Sequence, residues 1–160
     1  MEETNNDQQP RFSMKGQYIK DLSLENPNAP ENLMTMKEQP RVDLNLDLQG
    51  RRVADNFYEL AITASVKTLS GEQVLFVLDL TYAGLFELVN IPEELIERVL
   101  LVDSAFALFP FARRVVADIT RDSGFPPLML DPIDFLGLYE QRRRQEAEQA
   151  SQPVATAAIN

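Results

Sequence analysis

From Arg41 to Leu48 the side chains alternate without a break: Val42, Leu44, Leu46 and Leu48 are apolar, and Arg41, Asp43, Asn45 and Asp47 between them are polar. A period of two is that of a β-strand, whose successive side chains point to opposite faces, and it does not fit a helix. A strand of this kind requires a sheet with one apolar face, so the rest of the chain must supply its partners. Gln17 to Glu25 reads as one, ending at Asn26-Pro27-Asn28-Ala29-Pro30, where two prolines cannot donate ladder hydrogen bonds. Phe57 to Leu69 reads as another, with Tyr58, Leu60, Ile62, Ala64 and Val66 on one face and Glu59, Thr63, Ser65 and Lys67 on the other. Ser70-Gly71 marks a hairpin turn into Gln73 to Tyr82, which sends Val74, Phe76, Leu78, Leu80 and Tyr82 inward and Gln73, Leu75, Val77, Asp79 and Thr81 outward.

Helix signals take over at Ile91, with Pro92 at a first helical position and Glu93 and Glu94 in the first turn. Pro110 kinks the stretch or divides it, the second piece running from Phe111 to Asp122 and stopping at Ser123-Gly124 and Pro126-Pro127. A last helix opens with Asp131 as cap and Pro132 behind it, runs through Phe135 and Tyr139, and has a polar second half from Arg142 to Glu148 that projects into solvent. Strands followed by helices, with no repeat and no linker between, predict a single α+β domain. The 160 residues leave little for a second core. The expected division is a disordered tail over residues 1–12, the domain over 13–148 and a second disordered tail over 149–160, both tails being polar and poor in large apolar groups.

Composition then removes whole classes of function. There is no histidine and no cysteine, which excludes imidazole bases, thiolates, disulfides and the usual ligands of zinc, copper and iron-sulfur sites. With 15 Lys and Arg against 25 Asp and Glu, the net charge is −10, which repels phosphate backbones and anionic lipids, so nucleic acid is not an expected partner. Charges such as Glu87, Arg98 and Asp103 interrupt every apolar run before the roughly 18 residues a membrane span needs. Met1 to Pro10 carries no apolar run of the signal-peptide kind, and a cytoplasmic location is expected.

Alternation places Asp21, Glu25, Asp43, Asp47, Glu59 and Asp79 on the polar face of the sheet, against Arg41 and Lys67. Such a face is either a solvated surface or a dock for a basic partner, and Leu75 and Val77 beside Asp79 add the apolar character of an interface. It does not look catalytic. Asp43 and Asp47 are about 13 Å apart along a strand, beyond the roughly 5–9.5 Å of a glycosidase pair, and an open face does not desolvate a carboxyl. No phosphate-binding glycine loop occurs, so neither an enzyme nor a cofactor is expected. The run Val99 to Phe111 is apolar on all sides, which suits either a central core helix or a subunit interface. Phe125, Leu128, Met129 and Leu130 sit in a Pro-rich loop that either packs down or lines a groove.

Two long motifs resemble those of the SecB protein-export chaperones: Gln17-Tyr18-Ile19-Lys20-Asp21-Leu22-Ser23-Leu24-Glu25-Asn26-Pro27-Asn28-Ala29-Pro30, and Leu108-Phe109-Pro110-Phe111-Ala112-Arg113 followed by Gly124 to Phe135. The resemblance spans about Phe12 to Gln149 and is weakest over Leu95 to Ser104. It implies a four-stranded antiparallel sheet packed against C-terminal helices, assembled as a dimer of dimers. It also implies an ATP-independent cytoplasmic chaperone that keeps unfolded precursor proteins competent for translocation and delivers them to the SecA motor. A chaperone of the same kind dedicated to one client, such as an antitoxin, is the alternative. The positions matching the SecA contacts are Asp21, Glu25, Val77 and Asp79, and nothing in the chain is expected to ligate a metal. Phe109, Phe111, Phe125, Leu128 and Met129 are the expected lining of a client groove, since holding many unfolded chains requires adaptable apolar surface.

Overall fold

The structure is a computed structural model that describes residues 6–35 and 39–151. A 3-10 turn at Asn6–Gln8 leads into β1 (Arg11–Glu25), a short α1 (Glu31–Thr35), β2 (Arg41–Ala54), β3 (Phe57–Ser70) and β4 (Gln73–Val89). The helices follow: α2 (Glu93–Arg98), a π-helical segment (Val99–Ser104), α3 (Ala105–Asp122) and α4 (Phe135–Ser151). Of the expected tails, residues 1–5 and 152–160 lie outside the described residues, while Asn6–Gln8 form the 3-10 turn, Arg11 and Phe12 already belong to β1 and residues 149–151 still belong to α4.

All strand pairs are antiparallel and the sheet order is β1-β4-β3-β2. Two tight turns make the hairpins. Asn56 takes φ 63° between β2 and β3, and Gly71 takes φ 59° between β3 and β4, left-handed positions that Asn and Gly occupy at least cost. The strands are longer than alternation alone suggests. β4 runs past Tyr82 to Val89, and its last part supplies Phe86 and Leu88, both buried.

One face of the sheet is covered by the π-helical segment and α3. Gly84 and Gly50 make room for them: a Cβ on Gly84 would stand 3.1 Å from Leu108 Cδ1, and one on Gly50 would stand 2.4 Å from Leu100 Cδ2. The core gathers there from Leu60, Ile62, Leu78, Leu80, Phe86, Leu108 and Val116. Pro110 neither divides nor ends the helix, which continues through it to Asp122. The carbonyl it leaves without a donor is that of Phe106, four residues back, and Phe106 and Pro110 share an exposed side of α3, where water can take that role. The last helix starts later than expected. Its cap is Asp134, whose Oδ1 accepts from the Gly137 N–H at 3.0 Å, and Asp131 stays in the preceding loop.

The segment after β1 is pinned by its asparagines. Asn28 Nδ2 donates to the Val74 carbonyl at 2.8 Å, Asn32 Nδ2 to Asn26 Oδ1 at 3.0 Å, and Asn26 Nδ2 to the Ser123 carbonyl at 3.4 Å. The Ala29–Pro30 peptide bond within it is cis.

Candidate functional site

Register lays out the open face of the sheet row by row. Glu25, Val77, Lys67 and Asp43 form one row across β1, β4, β3 and β2; Ser23, Asp79, Ser65 and Asn45 form the next; Asp21, Thr81, Thr63 and Asp47 form the third. Side chains two residues apart on these strands share a face, so all three rows stand on the same side, away from the helices. Asp21, Glu25, Val77 and Asp79, expected to act together, are thus neighbours on two adjacent strands. Ser65 Oγ donates to Asp79 Oδ1 at 2.8 Å, and the Thr63 and Thr81 hydroxyls meet at 3.2 Å. Asp21, Glu25, Asp43 and Asp47 are exposed, and no opposite charge beyond Lys67 stands in those rows, so this end of the face is strongly negative.

Two expected members of that face behave differently. Leu75 is 1% exposed, because the register slips between Thr68 and Leu69 and turns both Leu75 and Phe76 toward the core. The apolar part of the face near Asp79 is therefore Val77 without Leu75. Glu59 lies on the open face but is buried beneath Tyr18 and Lys20 of β1 and Arg51 of β2, with Lys20 Nζ at 3.1 Å and Arg51 Nε at 2.9 Å from its Oε1 and the Tyr18 hydroxyl donating to its other oxygen. Small Ala83 and Ala61, one row away, leave the trough these side chains cross. Burial pushes the Glu59 carboxyl up, but the hydrogen bonds from Tyr18, Arg51 and Lys20 and the charge of Lys20 outweigh it and hold the group at about 2. Burial and the Glu59 carboxylate push the Tyr18 phenol up to about 12. A carboxylate held ionised by cations on both sides is a fastener of the sheet and no acid or base.

The helix-side expectations divide. Phe109 and Phe125 are core residues: Phe109 meets Phe135 edge-on at 5.5 Å and Phe125 packs on Phe76 at 5.0 Å, so neither presents groove surface in this chain. The loop folds down because Thr120 Oγ1 accepts from the Leu128 N–H at 2.9 Å, which leaves Leu128 half-buried and Met129 exposed. Phe111 is exposed on α3. Alternation had pointed to a different apolar surface without assigning it a role. Val42 and Leu44 face the helix side but stand beyond the reach of the helices, 40% and 39% exposed. Leu46 and Leu48 continue this row into a cleft of about 160 Å3 walled by Leu101, Leu138, Tyr139 and Arg142. Phe106, at 71%, is the barest aromatic of α3.

Among the described residues, no group of three or more potential ligands is placed to hold a metal ion, and no helix is long and apolar enough to cross a membrane.

Among the described residues the sheet thus presents a negative open face and a partly bare apolar one, the surfaces of a binding protein. Comparison with known proteins agrees: residues 5–146 match the family model described as preprotein translocase subunit SecB. The protein-export protein SecB of Parvibaculum lavamentivorans is 44% identical over 91% of this chain and 87% of its own, and that of Bradyrhizobium sp. is 46% identical over 89% of each chain. The chain belongs to the SecB family, whose members are chaperones of protein export that bind unfolded clients and are not enzymes. A solved SecB-like chaperone of Mycobacterium tuberculosis, in complex with a ChAD peptide from the HigA1 antitoxin, shares the fold with a TM-score of 0.65 at 19% identity, covering 77% of this chain and 91% of that one.

Proposed function

We propose that this chain is a general export chaperone of the cytoplasm that holds unfolded precursors on its helix-side apolar surface and docks the SecA motor on the open face of its sheet, through Asp21, Glu25, Val77 and Asp79. The observation that carries the division is register: those four residues converge on β1 and β4, while the bare Val42 and Leu44 of β2 stand on the other side of the same sheet. A negative face steers and orients a basic partner. Clients contact Phe111, Leu128, Met129 and the bare apolar row of β2. Binding to the unfolded chain shifts its folding equilibrium by mass action, which requires no nucleotide. The export names of relatives 44% and 46% identical support a broad client range over service to one antitoxin. The uncovered Phe106 and Leu95, 71% and 42% exposed, support self-assembly into a dimer of dimers.

Asp21→Lys and Asp79→Lys test the docking half. SecA binding measured by calorimetry at low salt is expected to fall about tenfold or more in each, with binding of a denatured precursor unchanged. Equal SecA affinity in both variants overturns the assignment. Light scattering tests the assembly: a mass of four chains supports it, and a monomer at micromolar concentration refutes it.

A further inference from the structure

The open face is not negative from end to end. Past the row of Asp21 and Asp47 runs an uncharged one, Tyr18, Ala83, Ala61 and Gln49, and past that stands the row of Glu59 and Arg51. There the charges are stacked. The Glu59 side chain is 6% exposed, whereas those of Lys20 and Arg51, which both bind its Oε1, are 41% and 60% exposed. The carboxylate lies beneath and the cations lie on top, so this end presents positive donors to solvent. Arg51 reaches Glu59 through Nε, which leaves the two Nη nitrogens of its planar fork as donors, a shape that fits a carboxylate. Lys20 is the extra residue where β1 slips between Ile19 and Asp21. The slip carries its ammonium to Glu59 while the neighbouring Asp21 stays in the acidic rows.

We propose that the open face is a bipolar dock: its acidic end holds basic residues of the partner, and Arg51 with Lys20 holds a carboxylate on the same partner segment. The inference rests on the docking of the motor proposed above and says which way round its segment lies. Glu59 and Ser65, which stands opposite Asp79, are six residues apart on β3, about 20 Å at 3.3 Å per residue. The occupant is therefore a segment of the motor with Lys or Arg at one end and Asp or Glu about 20 Å away, roughly six residues if extended and roughly thirteen if helical. A uniformly negative face would hold a basic segment in either direction. Two unlike ends hold it in one, because the reversed direction sets like charges against each other.

Arg51→Gln tests this with opposite signs. The substitution makes a chain of charge −10 more negative still, so a dock that works by net charge alone would bind SecA more tightly. A bipolar dock is expected to bind it about threefold more weakly, the scale of one exposed ion pair, and Arg51→Lys, which keeps the cation, is expected to bind it about as the native protein does. Both variants are measured by calorimetry at low salt in the full chain, beside capture of a denatured precursor, which should be unchanged. Two synthetic peptides locate the contact: Lys-Lys, a Gly-Ser spacer of six residues and Glu-Glu, and a twin ending in Gln-Gln. Arg51→Gln is expected to weaken the Glu peptide about threefold and leave the Gln peptide as it was, a difference that a loosened sheet cannot produce. Equal weakening of the two peptides overturns the proposal. Equal or tighter SecA binding by Arg51→Gln, beside a loss in Asp79→Lys, overturns the bipolar dock and leaves the negative one standing. SecA affinity unchanged in Asp21→Lys, Asp79→Lys and Arg51→Gln alike overturns both.

Discussion

The two faces of this sheet are made by the same four strands yet are held in different ways. On the helix side, stability is contact: Leu60, Leu78, Phe86 and Leu108 are fully buried, and close packing leaves no room even for a methyl group at Gly84. On the open side no second layer stands among the described residues, and the strands are tied by side chains, with Tyr18, Lys20 and Arg51 converging on Glu59. A covered face can be apolar throughout; an open one must make its own cover. The open side is thus free to carry charge where a partner is to dock, and the helix side leaves apolar groups bare at its rims, Val42 and Leu44 along β2 and Ile19 and Leu22 along β1.

The largest effect is expected where contact dominates. Phe86 is fully buried and stacks on Phe12 at 5.5 Å, so Phe86→Ala opens a cavity and should cost about 3–5 kcal/mol, read as a lower urea midpoint at unchanged m-value. A loss under 1 kcal/mol would mean that the end of β4 is not core.

Glu59→Gln attacks the open face at its fastener. It leaves Lys20 and Arg51 without their shared carboxylate and should cost about 2–3 kcal/mol near pH 7. The pH dependence separates this from packing. The carboxyl is depressed, to about 2 from an ordinary 4.5, so its contribution is complete above 4.5 and disappears as pH falls from there toward 2. Tyr18, raised from 10.0 to about 12, has the opposite sign: its share is complete below 10 and is lost as pH rises toward 12. Acid and base titrations of stability should show both limbs in the native protein; Glu59→Gln should lose the acid limb and shrink the base one, since the Glu59 carboxylate helps to raise Tyr18, whereas Phe86→Ala should keep both.

Alternation made the strands and their faces legible, and two motifs made the family legible, but several positions depended on facts that period two does not contain. Leu75 reads as outward in any strict alternation; a bulge turned it in, and a bulge leaves no mark in hydropathy. Glu59 reads as a solvated charge because nothing in a single strand says that Tyr18 and Arg51, 41 residues before it and 8 before it, will be laid over it. β4 reads as ending at Tyr82, where the structure continues it to Val89 and uses Gly84 to admit Leu108. Pro110 reads as a kink or a division because it removes a backbone donor; here one helix runs through it, with Pro110 and Phe106 both exposed. Phe109, in the apolar helical run, and Phe125, in the loop after it, are expected to line a client groove, and only their partners Phe135 and Phe76, far along the chain, show that both are buried.

A smaller effect should distinguish rim from core on the helix side. Asp134 caps the helix whose first turns wall the cleft along β2, and Gly137 lies so close to it that a Cβ would stand 2.5 Å from Asp134 Oδ2. Asp134→Ala should cost about 1 kcal/mol, the usual worth of a cap, and hydrogen exchange should quicken at the start of α4 while the amides of β3 and β4 stay as they were. Uniform quickening would show that α4 is bound into the core and is no separable wall.

The smallest effect is expected at the centre of the open face, where the Thr63 and Thr81 hydroxyls meet at 3.2 Å, both half-buried. Thr81→Val keeps the shape and the β-branching that suits a strand and removes one hydroxyl, while water can reach the Thr63 hydroxyl left behind. The loss in stability should be within about 0.5 kcal/mol, because a hydrogen bond that water can replace contributes little net. If the open face is a dock, the same substitution should still register in SecA binding: it puts a methyl group between Asp21 and Asp47, in the row where polar contacts with the motor are proposed. A stability change of 2 kcal/mol would show that the open face, too, is held by its interior, and the contrast between the faces would fail.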